Sequence, residues 1–342
     1  MARRALVTGS AGFIGFHQSL RLLDEGWEVM GLDAMTDYYD PRLKRRRRAL
    51  LEERAGYAHV EDRLETPGLL DGLMARHRPE IVIHLAAQAG VRYSIEEPRS
   101  YVTANLLGTF ELLEAARAHP PAHLLLASTS SVYGANTRMP YAETDRADHP
   151  LSFYAATKKS TEAMAHSYAH LFEIPVTMFR FFTVYGPWGR PDMALFKFVR
   201  AIREGRPIDV YNEGRMKRDF TYVDDLVEGV SRLIGRVPPG PDGRNAAPAI
   251  PGDSLSPVAP WRVVNIGLSR PVELTAFIDT IEDALQRKAE RRLLPMQPGD
   301  VRETWADTDL LHALVGTIRE TPLEKGVSEF VRWYVDVYET LD

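Results

Sequence analysis

The fold of this chain is decided near its start, by Arg4-Ala5-Leu6-Val7-Thr8-Gly9-Ser10-Ala11-Gly12-Phe13-Ile14-Gly15. The apolar residues before Gly9 predict a buried strand, and residues 16–25 have the spacing of an amphipathic helix. Glycines between a strand and a helix let the backbone turn tightly and approach a pyrophosphate, whose charge meets the helix N-terminus. Taken alone, the pattern Gly-x-x-Gly-x-x-Gly also fits a plain strand-to-helix turn.

The segment that follows narrows the interpretation of the glycines. A second predicted strand, residues 27–32, ends in Asp33, which lies about 20 residues after the glycines. An acidic side chain at this place accepts hydrogen bonds from ribose hydroxyls and repels a 2′-phosphate. Strand, glycines, helix, strand and acid in this order indicate dinucleotide binding, with NAD preferred over NADP.

The first half of the chain continues this alternation of strands and helices. Residues 57–60 predict a third strand, with Asp62 at its end, where a side chain can reach an adenine amine. Residues 81–87 predict an apolar strand that ends in small residues, across which a cofactor can lie flat. Apolar strands alternating with helices predict an α/β fold with a Rossmann-type doubly wound parallel sheet. The composition shifts after residue 182, which indicates a smaller C-terminal α/β region.

A cluster of hydroxyl side chains follows the next apolar run, in Ala127-Ser128-Thr129-Ser130-Ser131-Val132-Tyr133-Gly134. Open α/β sheets bind their ligands at the carboxyl ends of the strands. Tyr154 and Lys158 lie four residues apart on a predicted helix, so both side chains share one face. A hydroxyl group opposite a Tyr/Lys pair is suited to moving a proton on or off an alcohol oxygen.

The spacing of Tyr154 and Lys158 has a physical reason. A free tyrosine, with a pKa of about 10, is a poor base at neutral pH, and lowering that pKa to neutrality requires roughly 4 kcal/mol. One positive charge about 4 Å away supplies about that much at an effective dielectric constant of about 20. We therefore expect Lys158 and an oxidised nicotinamide ring to activate Tyr154. For the motif alone, an exposed aromatic/lysine pair on a helix is the alternative.

Composition and charge exclude several classes of protein. The 342 residues contain no cysteine, which rules out disulfides and cysteine metal sites, and the ten histidines are too scattered for a zinc site. A formal net charge of −5 gives no general attraction to nucleic acid or anionic membrane. No apolar stretch approaches the roughly 20 residues of a membrane span, and the first strand leaves no room for a signal peptide. We expect a cytoplasmic protein without metal, membrane or nucleic-acid partners.

One basic run stands out in this acidic chain. Lys44-Arg45-Arg46-Arg47-Arg48 opens a predicted helix that continues with Glu52 and Glu53, so Arg48 and Glu52 form a pair four residues apart. We interpret the run as a solvated helix face rather than as a nucleic-acid site.

Gly9-x-x-Gly12-x-x-Gly15, Asp33 and Tyr154-x-x-x-Lys158 together resemble the extended short-chain dehydrogenase/reductase superfamily of nucleotide-sugar enzymes. Longer strings are similar to the UDP-glucuronate 4-epimerases of that superfamily. These strings are His84–Ser94, Ala127–Gly134, Arg180–Met193 and Met216–Asp225, with a Pro-rich insertion before Asn265-Ile266-Gly267. The resemblance covers nearly the whole chain.

The resemblance implies an activity and an organisation. The activity is NAD-dependent epimerisation at sugar C4, through a 4-keto intermediate, between UDP-glucuronate and UDP-galacturonate. Residues 1–182, with about 219–236, would form the NAD-binding Rossmann domain. Residues 183–218 and about 237–342 would bind the nucleotide sugar. A homodimer through residues 105–118 and 154–172 is implied by the resemblance only.

The resemblance also assigns roles to single residues. Thr129 is implied as the hydroxyl partner of the catalytic tyrosine, Tyr154 as the acid/base, and Lys158 as its modulator. The implied NAD contacts are Gly9, Gly12, Phe13, Ile14, Gly15, Asp33, Asp62, Leu85, Ala86, Ala87, Gln88, Asn105, Ser128, Tyr154, Lys158, Phe181 and Val184. The implied sugar-nucleotide contacts are Arg92, Thr129, Ser130, Ser131, Thr183, Arg190, Met193, Tyr211, Arg218, Asp300 and Arg302. A small or apolar residue is expected at position 302 in this group, so Arg302 departs from the pattern.

Ser130 and Ser131 bear on which relative this chain follows. Nucleotide-sugar 4,6-dehydratases carry an Asp-Glu pair at these positions, and UDP-glucuronate decarboxylases carry Glu before the Val-Tyr-Gly. A 4-keto glucuronate is a β-keto acid, so an epimerase should hold its carboxylate with neutral donors such as Ser130, Ser131 and Thr183. The main alternative is a UDP-glucose or UDP-N-acetylglucosamine 4-epimerase. Two further alternatives are a UDP-glucuronate decarboxylase and a non-catalytic NAD-sensing protein on the same fold.

Overall fold

The computed structural model describes residues 3–242, 250–297 and 299–341, so part of the Pro-rich insertion lies outside the described residues. Its strands are β1 (Arg4–Thr8), β2 (Glu28–Asp33), β3 (Tyr57–Glu61), β4 (Ile81–His84), β5 (His123–Thr129), β6 (Val176–Phe181), β7 (Thr183–Tyr185), β8 (Ile208–Tyr211), β9 (Lys217–Tyr222), β10 (Trp261–Ile266), β11 (Pro271–Glu273), β12 (Arg291–Leu294) and β13 (Glu303–Thr304). Seven of these strands, all parallel, form the main sheet in the order β10-β6-β5-β4-β1-β2-β3.

Helices cover both faces of this sheet. They are α1 (Phe13–Asp24), α2 (Pro41–Glu52), α3 (Leu69–His77), α4 (Tyr93–Glu96), α5 (Pro98–Tyr101), α6 (Gly108–Ala118), α7 (Phe153–Phe172), α8 (Ala194–Arg203), α9 (Val223–Leu233), α10 (Leu274–Leu285), α11 (Asp309–Val315) and α12 (Leu323–Asp336). A π-helical segment, Val102–Leu107, joins α5 to α6. The predicted α/β class and doubly wound parallel sheet are therefore confirmed.

The two faces of the sheet bury different side chains of the same strands. Ala5 and Val7 belong to the core beneath α1, α9 and α11, whereas Leu6 belongs to the core beneath α3, α6 and α7. This alternation follows from the period of two residues in a strand. The strand order reverses between β1 and β4, and open α/β sheets bind ligands at the carboxyl ends of the strands at such a point.

The C-terminal region has its own sheets and its own core. Strand β9 pairs with β7, β11 and β13, and β8 pairs with β12. The core is rich in aromatic rings, among which Phe220 and Phe277 stack with centroids 4.0 Å apart. This region faces the carboxyl ends of the main sheet across the cleft described below. The domain boundaries inferred from the resemblance stay a prediction.

The basic run lies at the start of α2. The buried residues of this helix are Leu43, Lys44, Arg47 and Leu51. Arg45 and Arg46 are exposed, and Arg48 pairs with Glu52 at 2.9 Å. The interpretation of the run as a solvated face is therefore wrong for Lys44 and Arg47, which occupy the apolar face of the helix.

Two properties concern the whole described chain. No helix in residues 3–242, 250–297 and 299–341 is long and apolar enough to cross a membrane. Within these same ranges, no cluster of three or more His, Asp or Glu side chains is arranged to hold a metal ion. The cytoplasmic location stays a prediction.

A buried carboxyl group lies between β10 and the loop after β5. Glu143 is 8% exposed, and its Oε1 accepts a hydrogen bond from the Asn265 amide nitrogen at 2.8 Å. Burial raises the pKa of Glu143 to about 7; Asp307 adds to the effect, while the Asn265 hydrogen bond and the Arg180 charge oppose it. The carboxyl group is therefore neutral over most of the acidic range.

Replacing Glu143 with Gln is expected to stabilise the protein in mildly alkaline solution. Because folding raises the pKa from 4.5 to about 7, the stability that Glu143 contributes is complete below the unfolded pKa and is lost as the pH rises through the folded pKa. The amide keeps the acceptor and does not ionise, so the gain in unfolding free energy grows to about 3 kcal/mol above pH 8. Urea unfolding at a series of pH values measures this gain.

Glu162→Gln is the matched control, because it also changes a buried carboxyl group to an amide. Burial alone would raise the pKa of Glu162, but Arg180, Lys159 and Ser128 lower it to about 2. Its stabilisation is therefore present above the unfolded pKa, and Glu162→Gln should destabilise the protein at pH 8. A pH-independent difference between the parent and Glu143→Gln would refute the role of Glu143.

Candidate active site

A cleft of about 1480 Å³ runs along the carboxyl ends of the main sheet and into the C-terminal region. It is lined by every residue predicted above for catalysis, cofactor or substrate except Asn105 and Arg302. The predicted residues in this lining include side chains from six strands and come from both halves of the chain.

The glycine turn forms one end of the cleft. Gly9 has a φ of +72°, and a Cβ atom on Gly15 would lie 2.0 Å from the Gly9 carbonyl oxygen, so a side chain at either position would disrupt the turn. Helix α1 begins directly after Gly12 without a side-chain cap. Its first amide groups are therefore free to bind an anion at the cleft.

Asp33 lies at the end of β2, beside the glycine turn. Its carboxylate accepts hydrogen bonds from the amide nitrogens of Ala11, at 3.2 Å, and Met35, at 2.9 Å. The ammonium group of Lys44 lies 3.7 Å from Asp33 and donates to the Thr36 hydroxyl at 2.9 Å. Asp33 is thus fixed where a ribose would meet it. Lys44 also lines the cleft, although it was not among the predicted site residues.

Asp62 lines the cleft, whereas Asn105 lies behind it. Asp62 lines the cleft beyond the end of β3, where it accepts from the Thr66 hydroxyl at 2.8 Å. Asn105 is buried behind the cleft, accepts from the Gln88 amide nitrogen at 2.8 Å and donates to the Thr157 hydroxyl at 3.0 Å. Asn105 therefore fixes the backbone at Gln88 from behind the cleft, and its contact with NAD stays a prediction.

The predicted catalytic residues meet at the centre of the cleft. Thr129 ends β5, and Tyr154 lies in the first turn of α7, whose N-terminus is capped by the Ser152 side chain. Burial raises the pKa of Tyr154, while the Arg190 charge and a hydrogen bond with Thr129 oppose this shift. Burial lowers the pKa of Lys158 to about 8. In the protein alone, burial and not Lys158 therefore dominates the pKa of Tyr154.

A buried ion pair supports this centre from behind. Glu162, one turn after Lys158 in α7, accepts two hydrogen bonds from Arg180 in β6, at 2.9 and 2.8 Å. It also accepts from the Ser128 hydroxyl at 2.7 Å, so this hydroxyl of a predicted cofactor residue bonds to a protein carboxylate. The Glu162 charge opposes the fall in the pKa of Lys158. The sequence offered one signal for Glu162, its place four residues after Lys158 on the same helix face.

Neutral hydroxyl groups lie beside the catalytic centre. Ser130 and Ser131 follow Thr129, and the Thr129 hydroxyl accepts from the Ser131 amide nitrogen at 3.2 Å. Thr183, at the start of β7, lines the same wall. This wall offers hydrogen bonds without a negative charge.

The loop after β7 brings a cation to the cleft. The Arg190 Nε atom donates to Asp192 at 3.0 Å, and Asp192 accepts from the Tyr38 hydroxyl at 3.2 Å. Burial alone would lower the pKa of Arg190, but the Asp192 carboxylate raises it overall. Asp192 and Tyr38, which hold Arg190 in place, were not among the predicted site residues.

The far end of the cleft contains the predicted nucleotide contacts. The Arg92 guanidinium lies 4.6 Å from the centroid of the Tyr211 ring, and its Nη2 atom lies 3.1 Å from Asp300. Arg218 donates to the carbonyl oxygens of Val301, at 2.7 Å, and Arg302, at 3.0 Å. The Arg302 side chain is exposed and does not line the cleft, so its predicted substrate contact has no support in the geometry.

Comparison with known proteins agrees with this geometry. Residues 5–246 match the family described as the NAD dependent epimerase/dehydratase family. A probable UDP-glucuronate 4-epimerase of Rhizobium meliloti (strain 1021) is 58% identical over 335 residues, which cover 98% of each chain. UDP-glucuronate 4-epimerase 1 of Arabidopsis thaliana is 44% identical over 338 residues, which cover 97% of this chain and 77% of the relative.

A solved structure extends the comparison to three dimensions. The UDP-glucuronic acid 4-epimerase of Bacillus cereus, in complex with UDP-glucuronic acid and NAD, is 30% identical and aligns with a TM-score of 0.86. The alignment covers 98% of this chain and 100% of that one. The sequence match, the parallel sheet and the cleft agree, and the chain belongs to the NAD dependent epimerase/dehydratase family.

Proposed function

We propose that this chain is an NAD-dependent UDP-glucuronate 4-epimerase, which interconverts UDP-glucuronate and UDP-galacturonate without loss of carbon dioxide. The observation that carries the proposal is the cleft wall at which Thr129, Tyr154 and Lys158 meet the neutral hydroxyls of Ser130 and Ser131. The Rhizobium meliloti and Bacillus cereus relatives, which carry the name of this activity, support the same substrate.

The end of the cleft at the glycine turn fits NAD. The turn has no room for side chains at Gly9 and Gly15, and the uncapped N-terminus of α1 offers amide groups to a pyrophosphate. Asp33 would accept from the adenosine ribose, and Asp62 would reach the adenine. Bound there, NAD takes a hydride from sugar C4 and returns it to the opposite face, so that no NAD is consumed.

Tyr154 moves the proton that accompanies the hydride. As a base, it takes the proton of the sugar 4-hydroxyl, and as an acid it returns the proton after the 4-keto sugar has rotated. Thr129 hydrogen-bonds with the same phenol. Lys158, with a pKa lowered to about 8, stays mostly protonated at neutral pH and contributes positive charge to the site. Tyr154 needs a lower pKa to act as a base at neutral pH. The further positive charge that lowers it would come from the oxidised nicotinamide ring.

The hydroxyl wall explains why the sugar would keep its carboxylate. A β-keto acid loses carbon dioxide most readily when its carboxylate turns perpendicular to the ketone. Thr183, Ser130 and Ser131 would hold that carboxylate by hydrogen bonds without contributing a charged acid/base group. A UDP-hexose 4-epimerase would need no such wall, and this observation favours the sugar acid.

Incubation of the purified protein with UDP-glucuronate, followed by identification of the products, tests the proposal. We expect UDP-galacturonate to accumulate until the two sugars reach equilibrium, without added NAD beyond the bound cofactor. Turnover of UDP-glucose but not of the acid would favour the hexose 4-epimerase. A UDP-pentose product would indicate the decarboxylase, and absence of turnover with NAD bound would indicate the sensing protein.

Tyr154→Phe should lower kcat by about 10²- to 10⁴-fold, because the variant lacks the group that transfers the proton. The affinity for UDP-glucuronate should stay within a few-fold, since the phenyl ring retains the shape of the wall. Tyr168→Phe on the same helix is the control, because Tyr168 donates to Glu114 away from the cleft. Near-normal kcat in Tyr154→Phe would refute the assignment of the acid/base.

Thr183→Val should weaken binding of the sugar acid or release a decarboxylated pentose product, because valine keeps the shape but lacks the hydroxyl. Thr183→Ser restores the hydroxyl and should recover most of the parent behaviour. Product analysis and KM for UDP-glucuronate measure the effect. A Thr183→Val variant with parent KM and no pentose would remove Thr183 from the carboxylate site.

We infer that the protein forms a homodimer through α6 and α7. Large apolar side chains are exposed on this side of the molecule: Val102, Leu107, Phe110, Phe153 and Leu171. Leu107 and Phe110 lie three residues apart, and Phe153 and Leu171 lie on one face of α7 because eighteen residues make five helical turns. Apolar side chains grouped in this way support a protein interface, and a second copy would bury them.

Phe110→Glu is expected to convert the dimer to monomer, because two buried carboxylates would face each other across a two-fold axis. Light scattering after size-exclusion chromatography measures the mass. Leu293→Glu in β12, where Leu293 is 59% exposed, is the control and should remain dimeric. A parent protein that is monomeric at micromolar concentration would contradict the inference.

A further inference from the structure

Arg47 of α2 connects two parts of the chain that are distant in sequence. It is completely buried. Its Nη1 atom donates to the Ala11 carbonyl oxygen at 3.0 Å and to the Tyr39 hydroxyl at 2.8 Å. Its Nη2 atom donates to the Trp188 carbonyl oxygen at 2.6 Å. One side chain thus joins the glycine turn, the loop after Asp33 and the loop after β7.

The third partner of Arg47, Trp188, belongs to a loop that reaches the sugar end of the cleft. We call residues 186–193 the sugar loop; it contains Arg190 and Met193, which line the cleft. Trp188 in this loop has a φ of +61°, a conformation that non-glycine residues adopt only when neighbouring contacts hold it. The hydrogen bond from Arg47 to the Trp188 carbonyl oxygen is one such contact.

Other contacts of the sugar loop lead to the same side of the molecule. The His17 side chain in α1 lies 3.0 Å from the Pro187 carbonyl oxygen, and the Phe16 ring contacts the Trp188 ring at 5.5 Å. The Tyr38 hydroxyl donates to Asp192 at 3.2 Å. These contacts come from α1 and from the loop after β2, the same elements that flank the glycine turn.

Within the described part of the chain, no carboxylate pairs with the charge of Arg47. Among the described residues, its guanidinium bonds only to carbonyl and hydroxyl oxygens, and its Nε atom has no hydrogen-bond partner. Burying a cation without a counter-ion costs desolvation free energy. We therefore expect the Arg47 charge to have a function at this position. It lies directly behind Ala11 of the glycine turn, so an anion bound at this turn would supply the missing negative charge.

We propose that Arg47 is a positioning residue that couples the cofactor and sugar-nucleotide sites. It fixes the sugar loop to the glycine turn, so that ordering one site by its ligand also stabilises the other. Arginine suits this task because its planar fork reaches several acceptors at once, whereas lysine presents a single ammonium group. The proposal rests on the proposed function only for the identity of the two ligands, NAD and a UDP-sugar.

The exchange rate of bound NAD, measured with and without saturating UDP, tests the coupling. The holoenzyme is diluted into excess labelled NAD, and the release of the original cofactor is followed over time. In the parent protein, we expect UDP to slow release by about 5- to 150-fold, the usual range of coupling between two sites. In Arg47→Met, UDP should change the release rate by less than about twofold, although each ligand still binds. A purely structural role of Arg47 would lower stability and leave this ratio unchanged.

Two further variants make the result decisive. Arg46→Met is the matched control, because Arg46 is exposed on the same helix, and it should keep the parent ratio. Arg47→Lys keeps the positive charge but lacks the planar guanidinium fork. We expect UDP to slow NAD release in this variant by an amount between those of the parent and Arg47→Met. If Arg47→Met does not fold, Arg47→Lys provides the test of the coupling. A parent-like ratio in a folded Arg47 variant, or a parent that binds UDP without slower release, overturns the coupling. A parent that does not bind UDP refutes the proposed function as well.

Discussion

The buried carboxylate of Glu162 is the constraint on which the catalytic centre depends. It joins α7, which carries Tyr154 and Lys158, to Ser128 on β5 and Arg180 on β6. Thr129 follows Ser128 directly, so the same bonds fix the distance between the hydroxyl and the phenol. A carboxylate this deeply buried is stable only with its full set of donors, and removal of one donor would disturb all three elements.

Two of the buried arginines, Arg47 and Arg180, are held in different ways, and the difference matches their positions. Arg180 is paired with the Glu162 carboxylate and lies within the main sheet. Arg47 bonds to neutral oxygens behind the glycine turn, where an anionic cofactor is expected. The charge of Arg180 is therefore balanced by a carboxylate of the protein itself. Arg47 leaves a positive charge that a bound pyrophosphate would balance.

Much of the site could be predicted because short motifs lie at strand ends. Parallel strands bring their carboxyl ends to one edge, so Gly9, Asp33 and Thr129 had to lie close together once the fold was known. Side chains whose partners come from distant segments were harder to predict. Asn105 in the π-helical segment bonds to the backbone at Gln88, and Arg302 offers its carbonyl oxygen to Arg218. The pairing of β13 with β9, which brings Arg302 beside Arg218, is not visible in the local sequence.

The sequence contains a signal for the burial of part of the basic run. Lys44 and Arg47 share a helix face with Leu43 and Leu51, and this spacing of three and four residues is that of a buried stripe. The charge of the run predicts exposure, since buried cations are rare, whereas its periodicity predicts burial of Lys44 and Arg47. An arginine or lysine that interrupts an apolar stripe near a dinucleotide turn therefore indicates a cation with a specific partner.

The pKa of Tyr154 links these observations to the proposed chemistry. Burial raises the pKa in the protein alone, and Lys158, whose own pKa falls to about 8, is held in the charged form with help from Glu162. The phenol is therefore a weak base until further positive charge enters the cleft. A cationic nicotinamide brings that charge only when the cofactor is bound in its oxidised state. Loss of that charge after hydride transfer would raise the pKa of the phenol again, so Tyr154 would keep its proton while the 4-keto sugar rotates. Return of the hydride to C4 would then create the alkoxide that accepts the proton.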